Sequence, residues 1–201
     1  MSQYVFFFGG GKADGNKDMK DTLGGKGSGL AEMTNAGVPV PPGFTISTQA
    51  CNAYYDSGGK LPAEVDQQMD AALAKLEALQ GKKLGDPADP LLVSVRSGSK
   101  FSMPGMMDTI LNLGLNDEAV LGLAAKAGNE RFAWDSYRRF VQMYGDVVMG
   151  LKPVSKEDHD PFEVVIEMLK EKRGVLLDTD LDTTDLKELV ARFKALIRAR
   201  I

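Results

Sequence analysis

The chain is poor in the residues and runs that mark several classes of protein. Its 201 residues include one cysteine, Cys51, so no disulfide can form within the chain. Cys51 lies in a helical pattern, which predicts a small buried side chain. No apolar run reaches about 18 residues, the length that a membrane-spanning helix needs, and no cleavable apolar leader is evident. We therefore expect a soluble, cytoplasmic protein without a membrane partner.

The chain also lacks an excess of basic residues. It has 24 lysines and arginines against 28 acidic residues, a formal net charge of −4 and a pI of about 5.1. No run of lysine or arginine stands out, which argues against a nucleic-acid partner. Hydrophobic residues make up 43% of the chain, enough for one or two modest domains with cores of their own.

A short apolar run, Leu91 to Val95, predicts a buried strand that leads into a charged residue. Arg96 follows it directly and begins a segment rich in serine and glycine. A permanently charged guanidinium seldom ends a buried strand without a partner. The backbone N–H groups and hydroxyls of such a loop suit an anion. The segment therefore indicates a place where phosphate is bound.

A second segment, from Gly24 to Gly29, has the same character, with four glycines in six positions. A glycine-rich loop that leads into a helix offers phosphate its N–H groups and the positive end of the helix dipole. Lys26 adds a mobile charge. The segment does not match the P-loop, because Gly27 follows the lysine, nor the dinucleotide fingerprint, because Leu30 replaces its third glycine. A flexible loop with a solvated lysine is the alternative.

The first half of the chain mixes strand and helix patterns, and the second half is helical. Predicted strands cover Tyr4–Phe8, Phe44–Ser47, Leu91–Val95 and Thr109–Leu113. Predicted helices cover Gly27–Asn35, Thr48–Asp56, Pro62 to Gly81, Glu118–Ala127, Glu130–Met149, Pro161–Lys172 and Asp185 to the end. The strand signal disappears near Asn116. We therefore predict an α+β chain with a mixed α/β nucleotide-binding lobe over residues 1–116 and a helical lobe over residues 117–201.

Three long motifs together resemble one enzyme family. They read GGKGSGLAEMTNAGVPVPPGFTIS, SVRSGSKFSMPGMMDTILNLGLND and RFAWDSYRRFVQMYGDVVMG. They look like the N-terminal nucleotide-binding part of the pyruvate, phosphate dikinases, and the resemblance covers nearly the whole chain. Phosphoenolpyruvate synthases and glucan, water dikinases share the glycine-lysine segment and the Val-Arg-Ser core. They are not expected to carry Ser-Met-Pro-Gly-Met-Met-Asp-Thr, so this segment selects the pyruvate, phosphate branch.

The resemblance implies a fold and a reaction. The fold is a partial ATP-grasp domain, truncated here. The parent reaction converts ATP, pyruvate and phosphate to AMP, phosphoenolpyruvate and pyrophosphate. A histidine in another domain attacks the β-phosphorus of ATP and relays the phosphoryl group, and Mg²⁺ accompanies the nucleotide. That histidine and most metal ligands lie in domains that this chain lacks, so the chain alone is expected to be inactive and to hold no metal. The whole enzyme is expected to be a homodimer.

The resemblance also assigns ATP- and phosphate-binding roles to individual residues. The candidates are Lys26, Arg96, Gly98, Gly105, Asp108 and Thr109. Lys26 and Arg96 match phosphate-contacting residues of the family, although a structural ion pair is the alternative for Arg96. Gly98 and Gly105 would let the backbone approach the γ-phosphate, or form an ordinary turn. Asp108 and Thr109 either contact metal-bound phosphate or close a turn.

Two other features are interpreted as structural. His159 is the sole histidine, but it stands among acidic residues before a helix and is expected to be a surface residue rather than the phosphorylated histidine. Five aromatic residues, most of them at helical spacing, suggest a stacking platform or, with better odds, core packing. They are Phe132, Trp134, Tyr137, Phe140 and Tyr144.

Two other functions remain open from the sequence. One is a stand-alone nucleotide-binding or regulatory module without catalysis. The other is a fragment of a related phosphoenolpyruvate synthase.

Overall fold

The computed structural model describes residues 2–98, 108–153, 155 and 158–200. These residues form two compact units. Unit 1 contains the chain up to Gly81 together with Ser97 and Gly98. Unit 2 contains Lys82–Arg96 and the chain from Asp108 onward.

Among the described residues, unit 1 combines a three-stranded sheet with α-helices, and unit 2 combines two two-stranded sheets with α-helices, so the predicted α+β class is confirmed. The strands in the described part are β1 (Val5–Gly9), β2 (Lys12–Ala13), β3 (Gly43–Ile46), β4 (Lys83–Leu84), β5 (Pro90–Leu91), β6 (Val93–Arg96) and β7 (Thr109–Leu113). The helices there are α1 (Lys20–Asn35), α2 (Thr48–Asp56), α3 (Ala63–Gln80), α4 (Ala119–Ala127), α5 (Glu130–Met143), α6 (Pro161–Arg173) and α7 (Thr183–Arg198). A π-helical turn covers Tyr144–Val148 and a 3₁₀ turn covers Asp178–Asp180.

Unit 1 is built around β1, in which three phenylalanines follow a valine. β1 pairs antiparallel with β2 on one side and with β3 on the other, so it is the central strand of a three-stranded sheet. The four residues Val5 to Phe8 are all buried, although successive side chains point to opposite faces. Helix α3 contacts this strand and places Lys75 Nζ 4.0 Å from the centre of the Phe7 ring. Both faces of β1 are therefore covered.

Gln68 on α3 holds the beginning of β1. Its side-chain oxygen accepts hydrogen bonds from the backbone N–H groups of Tyr4 (2.7 Å) and Val5 (3.1 Å). Its side-chain nitrogen donates to the carbonyl of Ser2 at 2.9 Å. One amide thus pairs with three backbone groups of the N-terminal segment.

We expect Gln68→Ala to lower the free energy of unfolding by about 1–3 kcal/mol, because two partly buried N–H groups lose their acceptor. Urea unfolding measures this loss. Gln67→Ala is the matched control, since Gln67 is exposed on the same helix and should change stability by less than about 0.5 kcal/mol. Equal effects of the two substitutions would show that the Gln68 bonds contribute nothing.

The core of unit 2 lies between α5, α6 and α7. Phe162 and Phe193 are fully buried there, with ring centres 5.0 Å apart and planes at 80°, the edge-to-face arrangement that aromatic pairs favour. The predicted cap of α6 is present. The Asp160 carboxylate accepts hydrogen bonds from the N–H groups of Phe162 (2.8 Å) and Glu163 (3.0 Å).

The division into units does not coincide with the predicted boundary near Asn116. Residues 82–96 and 108–116 belong to unit 2, where β6 pairs with β7 and β7 contacts α5. Ile110 and Leu115 are buried there. Strand and helix patterns change at Asn116, but the strands on its N-terminal side pack on the helices that follow it. In the described part of residues 117–200 no strand is present, as the sequence predicts.

An exposed ion pair between Lys194 and Asp117 joins α7 to the segment before α4, and the Tyr137 hydroxyl also donates to Asp117, at 3.1 Å. The hydrogen bond from Lys194 holds the pKa of the Asp117 carboxyl below its ordinary value. A carboxyl whose pKa is lower in the folded state stabilises the fold above its unfolded pKa. That contribution disappears as the pH falls through the folded pKa.

We therefore expect Lys194→Met to raise the pKa of Asp117 toward its ordinary value, as followed by NMR titration of the carboxyl carbon. Tyr137→Phe removes only the weaker hydrogen bond and should raise the pKa by less. An unchanged Asp117 pKa in Lys194→Met would contradict the ion pair as the cause of the shift.

Several sequence predictions hold and others need correction. Helix α2 and strand β7 have the predicted bounds. Cys51 is exposed rather than buried. Helix α2 turns Ala50 to the interior, and the next residue lies about 100° further round the helix.

The predicted strand Leu91–Val95 is interrupted and only partly buried. β5 ends at Leu91, which is buried, and β6 begins at Val93. Val95 is 45% exposed. The long helix predicted from Glu130 to Met149 continues past Met143 as a π-helical turn.

No α-helix in the part of the chain that the structure describes is long and apolar enough to cross a membrane.

Candidate functional site

The glycine-rich segment is mostly helical, not the open loop that the sequence predicts. Helix α1 begins at Lys20, but Gly24 has φ 68° and ψ 173°, which breaks it. Essentially only glycine adopts this backbone conformation. The helix restarts after Gly24, so Gly25, Lys26 and Gly27 form the first turn of a second helical segment. The beginning of a helix carries unpaired N–H groups and the positive end of the dipole, as the phosphate interpretation requires.

The remaining glycines of this segment serve two different purposes. Gly27 is buried, and a Cβ atom there would lie 2.8 Å from Thr45 Cγ2, so its lack of a side chain lets α1 approach β3. Gly25 and Gly29 have open space where a Cβ atom would be. The space beside Gly25 leaves room for a ligand at the start of the restarted helix.

Lys26 is exposed, and its Nζ donates a hydrogen bond to the Ser97 carbonyl at 3.2 Å within unit 1. The ammonium group has three donors, and this bond occupies one of them. Gly98 follows Ser97 and has open space where a Cβ atom would be. The structure thus brings Lys26 to the beginning of the serine- and glycine-rich segment.

Arg96 and Thr109 lie directly opposite each other in the β6–β7 ladder of unit 2. Opposed residues in antiparallel strands extend their side chains to the same face of the sheet. Arg96 is exposed, Thr109 is half-buried, and Asp108 is exposed immediately before β7. A guanidinium and a hydroxyl on one accessible face are two donors suited to a phosphate group.

The predicted site residues therefore fall into two groups. Lys26 and Gly98 lie in unit 1, and Arg96, Asp108 and Thr109 lie in unit 2. The sixth candidate, Gly105, lies outside the described residues. The phosphate-binding roles of all six stay predictions.

The two features interpreted as structural are placed as follows. His159 is exposed immediately before the capping Asp160. Among the aromatic residues of α5, Tyr137 is buried and its ring stacks on Phe140 at 6.4 Å. Phe132 and Tyr144 are exposed. Core packing therefore accounts for part of this aromatic set, and the rest lies at the surface.

No group of three or more His, Cys, Asp or Glu side chains in the described ranges could hold a metal ion.

One residue beside the candidates was missed by the sequence analysis. Asn112 in β7 has φ 59°, and it is the one non-glycine residue with positive φ in the described part of the chain. The signal in the sequence is weak: asparagine tolerates this conformation better than most residues, and Gly114 follows shortly after.

A family profile matches one part of this chain. A family profile described as "Pyruvate phosphate dikinase, AMP/ATP-binding domain" matches residues 20–80. This range contains the broken helix α1 with Lys26, as well as β3, α2 and α3. Residues 20–80 are thus similar to an AMP/ATP-binding domain.

Curated relatives extend the similarity to almost the whole chain. Pyruvate, phosphate dikinase of Clostridium symbiosum is 55% identical over 198 residues, which are 98% of this chain and 22% of that enzyme. Pyruvate, phosphate dikinase 1, chloroplastic, of Arabidopsis thaliana is 56% identical over 191 residues, 95% of this chain and 19% of the relative. The enzyme of Rhizobium meliloti is 50% identical over 197 residues, with shares of 98% and 21%.

The chain is therefore homologous to the N-terminal region of the pyruvate, phosphate dikinases, and the resemblance seen in the sequence motifs is confirmed. It spans about a fifth of the length of these relatives. The similarity does not favour the two alternatives, a stand-alone module or part of a phosphoenolpyruvate synthase.

Proposed function

We propose that this chain binds the phosphate groups of ATP and AMP as the N-terminal part of a pyruvate, phosphate dikinase. The observation that carries the proposal is the AMP/ATP-binding match over residues 20–80, because this range includes the helix break at Gly24 and the lysine that follows it. The complete enzyme, an ATP-grasp phosphotransferase and cytoplasmic homodimer in this proposal, converts ATP, pyruvate and phosphate to AMP, phosphoenolpyruvate and pyrophosphate.

Lys26 supplies a positive charge where the restarted helix begins. Its bond to the Ser97 carbonyl limits the positions that the ammonium can adopt, which reduces the entropy lost when a phosphate oxygen binds. The charge of Lys26 and the helix dipole act in the same direction on an anion. The lack of a side chain at Gly25 keeps the approach open.

Arg96 supplies the second charge, and its role differs from that of a lysine. The planar guanidinium presents parallel N–H donors that match two oxygens of one phosphate. Thr109, opposite in the ladder, adds a hydroxyl on the same face. In phosphoryl transfer the protein acts mostly by positioning and by neutralising charge. Arg96 would do so for a phosphate at the end of β6, and Lys26 for a phosphate at the start of the restarted helix.

The remaining contacts to the nucleotide come from polypeptide that this chain does not contain. In this proposal the Mg²⁺ that accompanies ATP would be held mainly by the nucleotide phosphates and by ligands in those other segments. The chain alone should not convert ATP to AMP.

We expect the 201-residue chain to bind Mg-ATP with a dissociation constant of about 1 mM or weaker. Lys26, Arg96 and a few N–H groups contribute roughly 3–6 kcal/mol of charge-assisted hydrogen bonding. The loss of translational and rotational freedom costs about 4–15 kcal/mol. An NMR titration measures such weak binding, and the amide shifts should be largest at Gly25–Gly27 and at Arg96 and Thr109.

Lys26→Ala should reduce these shifts, whereas Lys60→Ala, which removes an exposed lysine elsewhere in unit 1, should not. Shifts confined to other parts of the chain would overturn the proposed function. Micromolar binding would show instead that the nucleotide site is complete within these 201 residues.

A further inference from the structure

The ladder between β6 and β7 contains a β-bulge. Val95 lies opposite Ile110, but Val93 lies opposite Leu113. One residue of β6, Ser94, therefore faces two residues of β7, and Asn112 is one of them. Its φ of 59° lies in the left-handed region that an extra residue adopts in one common type of bulge.

The bulge decides which side chains of β7 share a face. In a regular strand alternate residues point the same way, so Leu113 would lie on the face of Thr109. The extra residue shifts the alternation by one, and Leu113 instead joins Ile110 on the opposite face. Ile110 is buried and Leu113 and Val93 are half-buried, but Val95 opposite Ile110 is exposed, so this face is turned to the interior only in part.

The other face of the same two strands is accessible. It carries Arg96 and Ser94 from β6, both exposed, and the half-buried Thr109 from β7, and the exposed Leu111 lies opposite Ser94. In a strand without the bulge, Leu113 and Thr109 would lie on the same face, so a register that buries Leu113 would also turn Thr109 to the interior. The bulge therefore permits Ile110 and Leu113 to share one face while Thr109 remains beside Arg96 on the other.

The chain after the bulge is anchored, so the strand cannot slide to remove it. Leu115 is buried, and its N–H donates to the Asn112 carbonyl at 3.2 Å. Gly114 has φ 118° and packs so closely that a Cβ atom there would lie 2.2 Å from the Leu91 carbonyl oxygen. The Leu91–Gly114 approach thus fixes the position of the chain on the C-terminal side of the bulge.

We propose that Asn112 is a positioning residue for phosphate binding: its left-handed conformation sets the register that places Arg96 and Thr109 together on the accessible face. This inference rests on the proposed function, since Arg96 and Thr109 are its phosphate-binding residues. Asparagine and glycine accept the conformation readily, alanine less so, and a β-branched residue such as valine poorly.

The test compares Asn112→Gly, Asn112→Ala and Asn112→Val in the 201-residue chain. Cross-strand NOEs between Arg96 and Thr109 report the register, the Thr109 amide shift reports Mg-ATP affinity, and urea unfolding reports stability. Asn112→Gly should keep the NOEs and bind Mg-ATP like the parent chain. Asn112→Val should lose the NOEs and bind about tenfold more weakly, as expected when a charge-assisted bond is lost. Asn112→Ala should give NOE intensities and an affinity for Mg-ATP between those of the other two variants. It takes the place of Asn112→Val in the comparison if the valine variant does not fold.

Three outcomes separate the inference from the function on which it rests. Valine and alanine variants that keep the Arg96–Thr109 NOEs overturn the inference. Variants that lose the NOEs but bind Mg-ATP as well as the parent also overturn it. If the register changes as expected but Mg-ATP shifts neither Arg96 nor Thr109 in the parent chain, then the structural role of Asn112 stands and the proposed function fails.

Discussion

Arg96→Ala in the complete dikinase polypeptide should slow the ATP-dependent half-reaction by about 10- to 150-fold. This range corresponds to the loss of roughly 1.5–3 kcal/mol for a hydrogen bond to a charged group, converted at about 1.4 kcal/mol per factor of ten. Arg96 is exposed at the end of β6 with Thr109 opposite. Its removal leaves the sheet intact and takes away the guanidinium, so the effect should appear in nucleotide chemistry and not in folding.

Two measurements separate this effect from general damage. Exchange of label between ATP and AMP reports the nucleotide half-reaction. Exchange between pyruvate and phosphoenolpyruvate reports the other half-reaction, which we propose takes place in another domain and which should be unchanged. Arg96→Lys keeps the charge but loses the paired donors, so its rate should lie between those of the parent and the alanine variant. Arg200→Ala, an exposed arginine remote in sequence, serves as the control. Equal loss of both half-reactions in a folded Arg96→Ala enzyme would contradict the phosphate role.

Gly114→Ala should lower the free energy of unfolding by about 2–6 kcal/mol, the sum of backbone strain and overpacking at about 1–3 kcal/mol each. Gly114 has φ 118°, where residues with a side chain are strained, and the added Cβ atom would lie 2.2 Å from the Leu91 carbonyl oxygen. That oxygen belongs to the backbone of β5, which cannot move without disturbing its parallel pairing with β4. The cost therefore falls on the strands of unit 2.

Gly29→Ala is the matched control, because it places the same methyl group on helix α1 where nothing lies within 4 Å. It should stabilise the chain by about 0.5–1 kcal/mol, since alanine favours the helix over glycine. Urea unfolding of both variants gives the comparison. A loss below about 1 kcal/mol for Gly114→Ala would mean that β5 and β7 can separate at little cost and that their close approach does not fix the register.

Local chemistry predicts much of the secondary structure from the sequence. The Asp160 cap begins α6, and the left-handed Gly81 and Gly174 end α3 and α6, as their residue types indicate. These features depend on neighbours within a few positions along the chain, so a sequence pattern contains the information that determines them.

Features that depend on distant contacts could not be predicted in this way. The glycine-rich segment was interpreted as a loop, but Gly24 only interrupts a helix. At Gly27 a side chain would collide with Thr45, which is distant in the sequence. The bulge at Asn112 depends on the pairing of β7 with β6, a contact between two separate segments of the chain. Lys26 and Arg96 were identified from the chemistry of their motifs, yet the bond from Lys26 to Ser97 spans 71 positions and no pattern predicts it.

The central strand of unit 1 also bears on the solubility of the chain when it is not folded. Residues Val5 to Gly9 read Val-Phe-Phe-Phe-Gly, a run without charge or proline and rich in residues that favour strands, which is the composition typical of amyloid-forming segments. In the native sheet this run is shielded by strands on both edges and by helices on its faces. During refolding, or when heat opens unit 1, the three phenylalanines become available to other chains. Aggregation should therefore begin at this strand. A charged residue in place of one phenylalanine would oppose aggregation, but it would also weaken the native sheet, because each of these phenylalanines is buried there.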